Sequence, residues 1–220
     1  EADIEVGGDF CAVHSLSDTK AGLFICDVMG HGVRAALITS MIKTLADHLA
    51  PQTESPSAVL TAMNRQLLPL LQTEEAFLFA TACYLVVDTE TGVLSGAMAG
   101  HTVPFLIQSH RSQVSLLDLA MQDPGPALGL TANHDYQTFS LPLAPGDAVL
   151  LYTDGVCEAT SPQGVEFGAQ RLQRTIQDLG QLPLNEMLAR VVQAAREFSG
   201  SRKVGDDICL LGCVLHALRE

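Results

Sequence analysis

Short apolar, β-rich runs from Phe10 to Ser17 and from Gly22 to Val28 flank the polar segment Asp18-Thr19-Lys20-Ala21, which predicts an antiparallel hairpin. Leu37, Met41, Leu45 and Leu49 then recur every four positions between Val33 and Ala50, the spacing of an amphipathic helix, and Pro51 closes it. Ser55-Pro56 is a second helix start, the hydroxyl serving as cap and proline sitting in the first turn. Val59, Met63, Leu67 and Leu70 or Leu71 supply its apolar stripe, and Pro69 is expected to kink or end it.

From Phe77 to Val87 the chain is almost continuously apolar, then turns at Thr89-Glu90-Thr91-Gly92 into Val93 to Met98, which reads as a central hairpin. Further strands are predicted over Val103 to Gln108, Gln113 to Leu117, Tyr136 to Leu141, Ala148 to Tyr152 and Ile208 to His216. Helical spacing returns from about Ala169 to Leu179, with Leu172 and Ile176 inward, and from Leu184 to Phe198, with Met187, Leu188, Val191, Val192 and Ala195 inward. No repeat or low-complexity tract interrupts this order. It predicts a single α+β domain over 1–220, with sheets packed centrally and two sequential helix pairs outside, one pair per face.

Composition narrows the function classes. At 220 residues, 47 % hydrophobic and 17 % charged, the chain can bury an ample core, and it contains no uninterrupted apolar stretch of membrane-spanning length. A net charge of −13 repels phosphate backbones, so neither nucleic acid nor an anionic membrane is an expected partner. A phosphorylated substrate would need a cation to mediate. The six cysteines fall mostly inside apolar runs and lack the two-residue spacing of a zinc clasp, which predicts buried free thiols of a reducing cytoplasm. Glu1-Ala2-Asp3-Ile4-Glu5 carries neither a basic leader nor an apolar signal core, in keeping with a cytoplasmic protein.

Four aspartates sit where an apolar run meets a glycine turn: Asp9 in Gly7-Gly8-Asp9-Phe10, Asp27 before Val28-Met29-Gly30-His31-Gly32, Asp154 in Thr153-Asp154-Gly155, and Asp206 in Gly205-Asp206-Asp207. Any one of them reads equally well as a turn former. Together, drawn from both ends of the chain, they suggest a carboxylate cluster. Two carboxylates about 4 Å apart repel by roughly 4 kcal/mol at an effective dielectric near 20, so converging aspartates need cations. Oxygen donors without His or Cys suit Mg²⁺ or Mn²⁺. Two such ions can activate a water in line with the leaving oxygen of a phosphoester.

These motifs resemble the catalytic domain of the metal-dependent protein phosphatase 2C superfamily, in its bacterial SpoIIE/RsbU branch. The resemblance covers nearly the whole chain. It is carried by Val6-Gly7-Gly8-Asp9-Phe10, by Asp27 to Val33 with Ala35-Ala36-Leu37, by Ala99-Gly100-His101 with Pro104, by Gly125-Pro126-Ala127-Leu128-Gly129, by Leu151 to Val156 with Glu158, by Phe167-Gly168 and by Asp206-Asp207-Ile208. It implies a central β-sandwich of two antiparallel sheets flanked by helix pairs (αββα). It also implies metal ligation by Asp9, Asp27, the main-chain carbonyl of Val28, Asp154 and Asp206, with Asp27 between two ions and Asp27 and Asp154 carrying catalysis. Gly30, His31 and Asp207 are accessory positions. The broader superfamily has histidine two residues after the first-motif aspartate, where this chain has Met29, so His31 is either a proton donor or a turn histidine. His101 is expected to hold a loop by hydrogen bonding, and Arg34 is the arginine nearest the first motifs.

The implied activity is hydrolysis of phosphoserine or phosphothreonine by a metal-bridging water, with two Mn²⁺ or Mg²⁺ ions and a phosphorylated STAS-domain anti-anti-sigma factor as substrate. An upstream receiver or sensor domain in the same chain and a homodimer fit the same resemblance, since the sequence opens almost on its first motif. Two other readings stay open: a catalytically reduced phosphatase-fold docking module in a sigma-factor or two-component pathway, and a phosphoesterase for small molecules, which only 12 basic residues make less attractive. Gly7-Gly8-Asp9-Phe10 lacks the second acidic residue of a diguanylate cyclase signature, and no Gly-Lys-Ser or Gly-Lys-Thr loop is present to cradle a nucleotide.

Overall fold

A computed structural model describes residues 7–30, 32–73, 76–109, 113–118, 124–200 and 207–216, with 73, 76 and 77 in backbone only. Two compact units are distinguished, one taking in Glu1–His101 and Asp118–Pro142, the other Thr102–Leu117 and Leu143–Leu218.

In the first unit the predicted hairpin forms from β1 (Phe10–Ser15) and β2 (Lys20–Val28). Two helices follow, α1 (Val33–Leu49) and α2 (Pro56–Leu71), then a two-residue ladder of β3 (Gln72–Thr73) with β4 (Ala76–Phe77). The long strands β5 (Ala80–Asp88) and β6 (Val93–Ala99), with β9 (Phe139–Pro142) later in the chain, complete an antiparallel sheet ordered β1-β2-β5-β6-β9. The apolar run expected to begin at Phe77 breaks at Leu78-Phe79. Leu78 N–H bonds the Leu71 carbonyl there, and Ala80 exchanges both backbone bonds with Leu128.

Alternation decides which face each strand residue serves. Phe24, Cys26 and Val28 of β2 and Ala80, Ala82, Tyr84 and Val86 of β5 pack with Ile42, Leu60, Met63 and Leu67 of the two helices. Each fully buried large side chain of this layer contributes about 1.5–3 kcal/mol of transfer free energy. The residues between them, Leu23, Ile25 and Asp27 on β2 and Thr81, Cys83, Leu85 and Val87 on β5, share the opposite face.

Helix α1 spans the expected residues but buries a different stripe. Ala35, Ile38, Ile42, Ala46 and Leu49 face inward, whereas Leu37 is 62 % exposed. The pattern holds two apolar stripes, and the one that includes Ala35 and Ala46 is in the core. Pro69 neither ends nor shortens α2, which continues to Leu71. So near the C-terminus the missing N–H removes a single helical bond.

The second unit is built the same way. Strands β7 (Phe105–Gln108), β8 (Gln113–Leu116), β10 (Ala148–Tyr152) and β11 (Leu210–Val214) form an antiparallel sheet ordered β11-β10-β7-β8. Its helices are α3 (Gly155–Glu158), which the sequence reading did not anticipate, α4 (Gly168–Asp178) and α5 (Leu184–Ser199). Leu172, Ile176, Met187, Val191 and Ala195 pack with Phe105, Leu150 and Tyr152, so each sheet carries its own helix pair. The expected inward stripes of both helices are borne out, with Leu188 half-buried but packed on the core, except at Val192, which is half-buried. All six cysteines are free thiols.

Candidate functional site

The first unit holds Asp9, Asp27, Val28 and His101. Phe10 and Cys26 are register partners across β1 and β2, and Val28 N–H donates to the Gly8 carbonyl at 3.3 Å, which carries the same register two residues on. Asp9 therefore stands opposite Asp27. Flanked by two hydrogen-bonded partners, it occupies the non-hydrogen-bonded type of antiparallel pair, in which Cα atoms approach to about 4.5 Å and both side chains point to one face. Cys26, buried between them on the other face, feels both. Burial pushes its thiol well above the ordinary value, and the carboxylates of Asp27 and then Asp9 push it further.

Gly8 is buried because its neighbours leave no room for a side chain. A Cβ there would stand 2.6 Å from the Val28 carbonyl oxygen and 3.2 Å from that of Gly30. The carbonyls of the Asp27 loop thus crowd the segment that carries Asp9. Helix α1 fixes the same spot, since Thr39 Oγ1 donates to the Gly8 carbonyl at 3.0 Å as well as to Ala35 at 2.9 Å. Gly32, at φ 86° and ψ −163°, turns the loop into α1 in a conformation that L side chains rarely adopt.

Across β2, Asp27 is the register partner of Thr81 on β5, and Thr81 Oγ1 shares a 2.8 Å hydrogen bond with His101 Nδ1. His101 is buried and anchors a loop as expected. Its neighbour Gly100 lies tight on Ala127, where a Cβ would come 3.0 Å from the backbone nitrogen, so the Ala99-Gly100-His101 and Gly125 to Gly129 motifs meet. The second of these is held in turn by buried Asn64 on α2. Asn64 Oδ1 accepts from Gly129 N–H at 2.8 Å and its Nδ2 donates to the Thr131 carbonyl at 2.9 Å. Tyr136 donates its hydroxyl to the Pro126 carbonyl at 2.8 Å. Thr39, Asn64, Thr81 and Tyr136 were not singled out from the sequence. The hint available was a polar residue inside an otherwise apolar helix or strand stripe.

The second unit holds Asp154 and Asp207. Asp154 lies two residues past the end of β10, and its carbonyl accepts from Cys157 and Glu158 N–H at 2.7 and 2.9 Å, starting α3. The turn between strand and helix is what sets this carboxylate beyond the sheet. Thr153, fully buried, donates its backbone N–H to the Cys209 carbonyl at 3.1 Å and accepts from Cys209 N–H on Oγ1 at 2.9 Å. That clamp extends the β10–β11 register one residue past Tyr152 and Leu210, to Thr153 and Cys209. Thr102 Oγ1 donates to the Tyr152 carbonyl from the other side. The Cys157 thiol is pushed up to about 11, by burial first and by Asp154, Glu158 and Glu166 after it.

Asp206 and His31 lie outside the described residues. Among the described residues no group of three or more His, Cys, Asp and Glu side chains is close enough to hold a metal ion. The donor types present in the first unit, two facing carboxylates with a main-chain carbonyl beside them, are all oxygen and fit a hard divalent cation rather than zinc or copper. No helix among the described residues is long and apolar enough to cross a membrane.

Comparison with known proteins agrees with this architecture. The chain is 28 % identical over 211 residues to "Phosphoserine phosphatase RsbP" of Bacillus subtilis (strain 168), covering 96 % of this chain and 49 % of that protein. It is 32 % identical over 161 residues to "Phosphoserine phosphatase RsbU" of the same organism, covering 73 % and 45 %. It thus spans about half the length of these relatives. Among solved structures it superposes on the SiaA-PP2C domain of Pseudomonas aeruginosa with a TM-score of 0.81 at 27 % identity, over 96 % of this chain and 82 % of that one. At 16 % identity, where only the fold is informative, it matches RsbX in complex with magnesium with a TM-score of 0.67, over 96 % and 89 %. The sequence pattern described as Stage II sporulation protein E (SpoIIE) matches residues 17–215, nearly the whole chain, and with two antiparallel sheets each flanked by helices, this protein belongs to the SpoIIE family of PP2C-type domains.

Proposed function

We propose that this chain is a metal-dependent protein serine/threonine phosphatase that works as a single domain. The observation that carries the reading is the pairing of Asp9 with Asp27 beside the Val28 carbonyl. Two carboxylates facing each other across a strand pair are costly without a cation between them. Similarity to relatives named phosphoserine phosphatases supports the same conclusion.

In this reading Asp9, Asp27, the Val28 carbonyl, Asp154 and Asp206 are the ligands of Mn²⁺ or Mg²⁺. When bound, two such ions supply neutralising charge for the phosphate and an activated water. The chain's own part is to fix the donors. The Gly8–Val28 bond and the Thr39 hydroxyl set Asp9 against Asp27, and Thr81 with His101 steadies the strand next to Asp27. The Thr153–Cys209 clamp sets the backbone around Asp154 and Asp207. Gly30 shapes the Asp27 loop, Asp207 lies on the segment that leads into β11, and His31 is the residue proposed to assist a proton transfer.

The substrate we propose is a phosphorylated STAS-domain anti-anti-sigma protein in the cytoplasm, with control coming from an upstream receiver or sensor domain and from homodimerisation. The test is phosphate release from a phosphoserine-bearing STAS-domain protein with Mn²⁺ and again with chelator. Release that requires Mn²⁺ supports the reading. No release in either condition, with the protein folded, overturns it in favour of a docking module.

A further inference from the structure

The second unit holds a cavity that the proposed phosphatase chemistry does not use. Its volume is about 680 Å³, and it lies where β7, β8, β10 and β11 meet the turn between α4 and α5. Ala148 and Val214, register partners on β10 and β11, both line it. From Ala148, β10 runs about 13 Å to Tyr152 at about 3.3 Å per residue, and Asp154 follows two residues later. The cavity therefore sits at the end of this sheet away from Asp154.

Its walls are held from behind. Ile107, Val114, Ala148 and Met187 are buried and give it an apolar floor. The rim is fixed by buried Asp147, whose Oδ1 accepts from Ser109 N–H at 3.0 Å and whose Oδ2 accepts from Ala144 N–H at 2.9 Å. Gly146 N–H donates to the Leu215 carbonyl at 2.7 Å, which ties the same turn to the residue before His216. A Cβ on Gly146 would stand 2.9 Å from Ser109 Oγ, so a larger residue would press on the rim. Close-packed interiors leave few voids larger than a water, whereas a preformed pocket of this size with a mixed lining is the ordinary form of a small-molecule site.

The lining sets the class of ligand. Four carboxamide residues, Gln108, Gln177, Gln181 and Asn185, line the cavity. Each carboxamide carries both a donor and an acceptor, the combination that pairs with the edge of a nucleobase. Helix α4 ends and α5 begins, without a side-chain cap, at the same wall, where helix termini supply further main-chain acceptors and donors. No Asp, Glu, Lys or Arg is among the described lining residues, and His216 is their one titratable side chain. A phosphate or carboxylate buried against such walls would go uncompensated, so the ligand is uncharged.

We propose that this cavity is a second ligand site, taking a neutral nucleobase or nucleoside. The ring lies on the floor of Ile107, Val114, Ala148 and Met187, and its polar edge pairs with the carboxamides. The proposal does not depend on the phosphatase reading, since neither Asp27 nor Asp154 takes part in it.

The experiment titrates adenosine, uridine and their 5′-monophosphates into the chain by calorimetry, without added metal. At least one nucleoside is expected to bind with a Kd of about 100 μM or tighter, and its monophosphate at least about tenfold more weakly. Gln181→Ala/Asn185→Ala removes two hydrogen-bonding groups and should weaken the nucleoside at least about tenfold. Should that variant melt at lower temperature, Gln108→Ala is read in its place. Asp27→Asn should leave the binding unchanged. No binding of either nucleoside up to about 5 mM overturns the proposal, as does a monophosphate that binds as tightly as its nucleoside. Binding that survives loss of the carboxamides overturns it too. Binding lost in Asp27→Asn places the ligand at the carboxylate edge and has the same consequence.

Discussion

Asp27 and Thr81 are register partners on adjacent antiparallel strands, and the hydroxyl of Thr81 is in turn bonded to buried His101. A carboxylate proposed to bind metal is thus backed by a side chain tied into the Ala99-Gly100-His101 loop. Replacing Thr81 with valine keeps its shape and removes the 2.8 Å bond to Nδ1. Leaving a buried polar atom without that partner costs about 1–3 kcal/mol. Thermal or denaturant unfolding should register this loss, and Thr81→Ser should recover most of it.

Gly8→Ala is expected to be costlier than its size suggests. The new methyl would stand 2.6 Å from the Val28 carbonyl oxygen, so either Asp9 or the Asp27 loop has to move. Overpacking of this order costs about 1–3 kcal/mol. The signature is a lower melting temperature together with weaker Mn²⁺ binding by calorimetry. Unchanged values for both would show that the loop yields freely and does not fix the proposed donors.

Tyr84 offers a prediction of opposite sign. Its hydroxyl is buried and has no hydrogen-bond partner among the described residues. Tyr84→Phe should therefore leave stability unchanged or raise it by up to about 1 kcal/mol, since no bond is lost and a polar group leaves the core. Chemical denaturation at neutral pH checks this.

The same residue shapes the alkaline limb. Burial raises the Tyr84 phenol from 10.0 to about 12, so the unfolded chain gives up this proton first as pH rises. The stabilising contribution is complete below pH 10 and is lost between pH 10 and about 12. Stability should fall across that window, and the fall should be shallower in Tyr84→Phe. Burial also raises the phenols of Tyr136 and Tyr152, so a residual slope is expected in the variant.

Much of this organisation was legible in the chain because period and punctuation agree locally. The Phe10 to Val28 hairpin, α1, α2, α4 and α5 follow from alternation, four-residue spacing and proline or serine starts, and each forms within two residues of the expected bounds. The pairing of Asp9 with Asp27 also follows, since a hairpin brings its two ends together whatever packs on it. What stayed hidden depends on packing between distant segments. Leu37 and Ile38 are equally apolar, yet Ile38 is buried in the core with Ala35 and Ala46 while Leu37 stays exposed. Tyr136 looked like part of a strand, yet β9 starts at Phe139, because the Tyr136 hydroxyl is drawn to Pro126 and its N–H to Thr61 Oγ1. The bonds of Asn64 to Gly129 and of Thr81 to His101 join segments 65 and 20 residues apart, which no local pattern encodes.

The most direct test of the proposed metal chemistry is the rate of para-nitrophenyl phosphate hydrolysis as Mn²⁺ is titrated into the chelator-treated chain, run beside Asp27→Asn and Asp154→Asn. The account predicts a rate that rises from background to saturation in the unsubstituted chain and drops at least about 100-fold in either variant, as befits removal of a charged group acting on the transition state. A rate indifferent to Mn²⁺ and chelator, and retained in both variants, would contradict it.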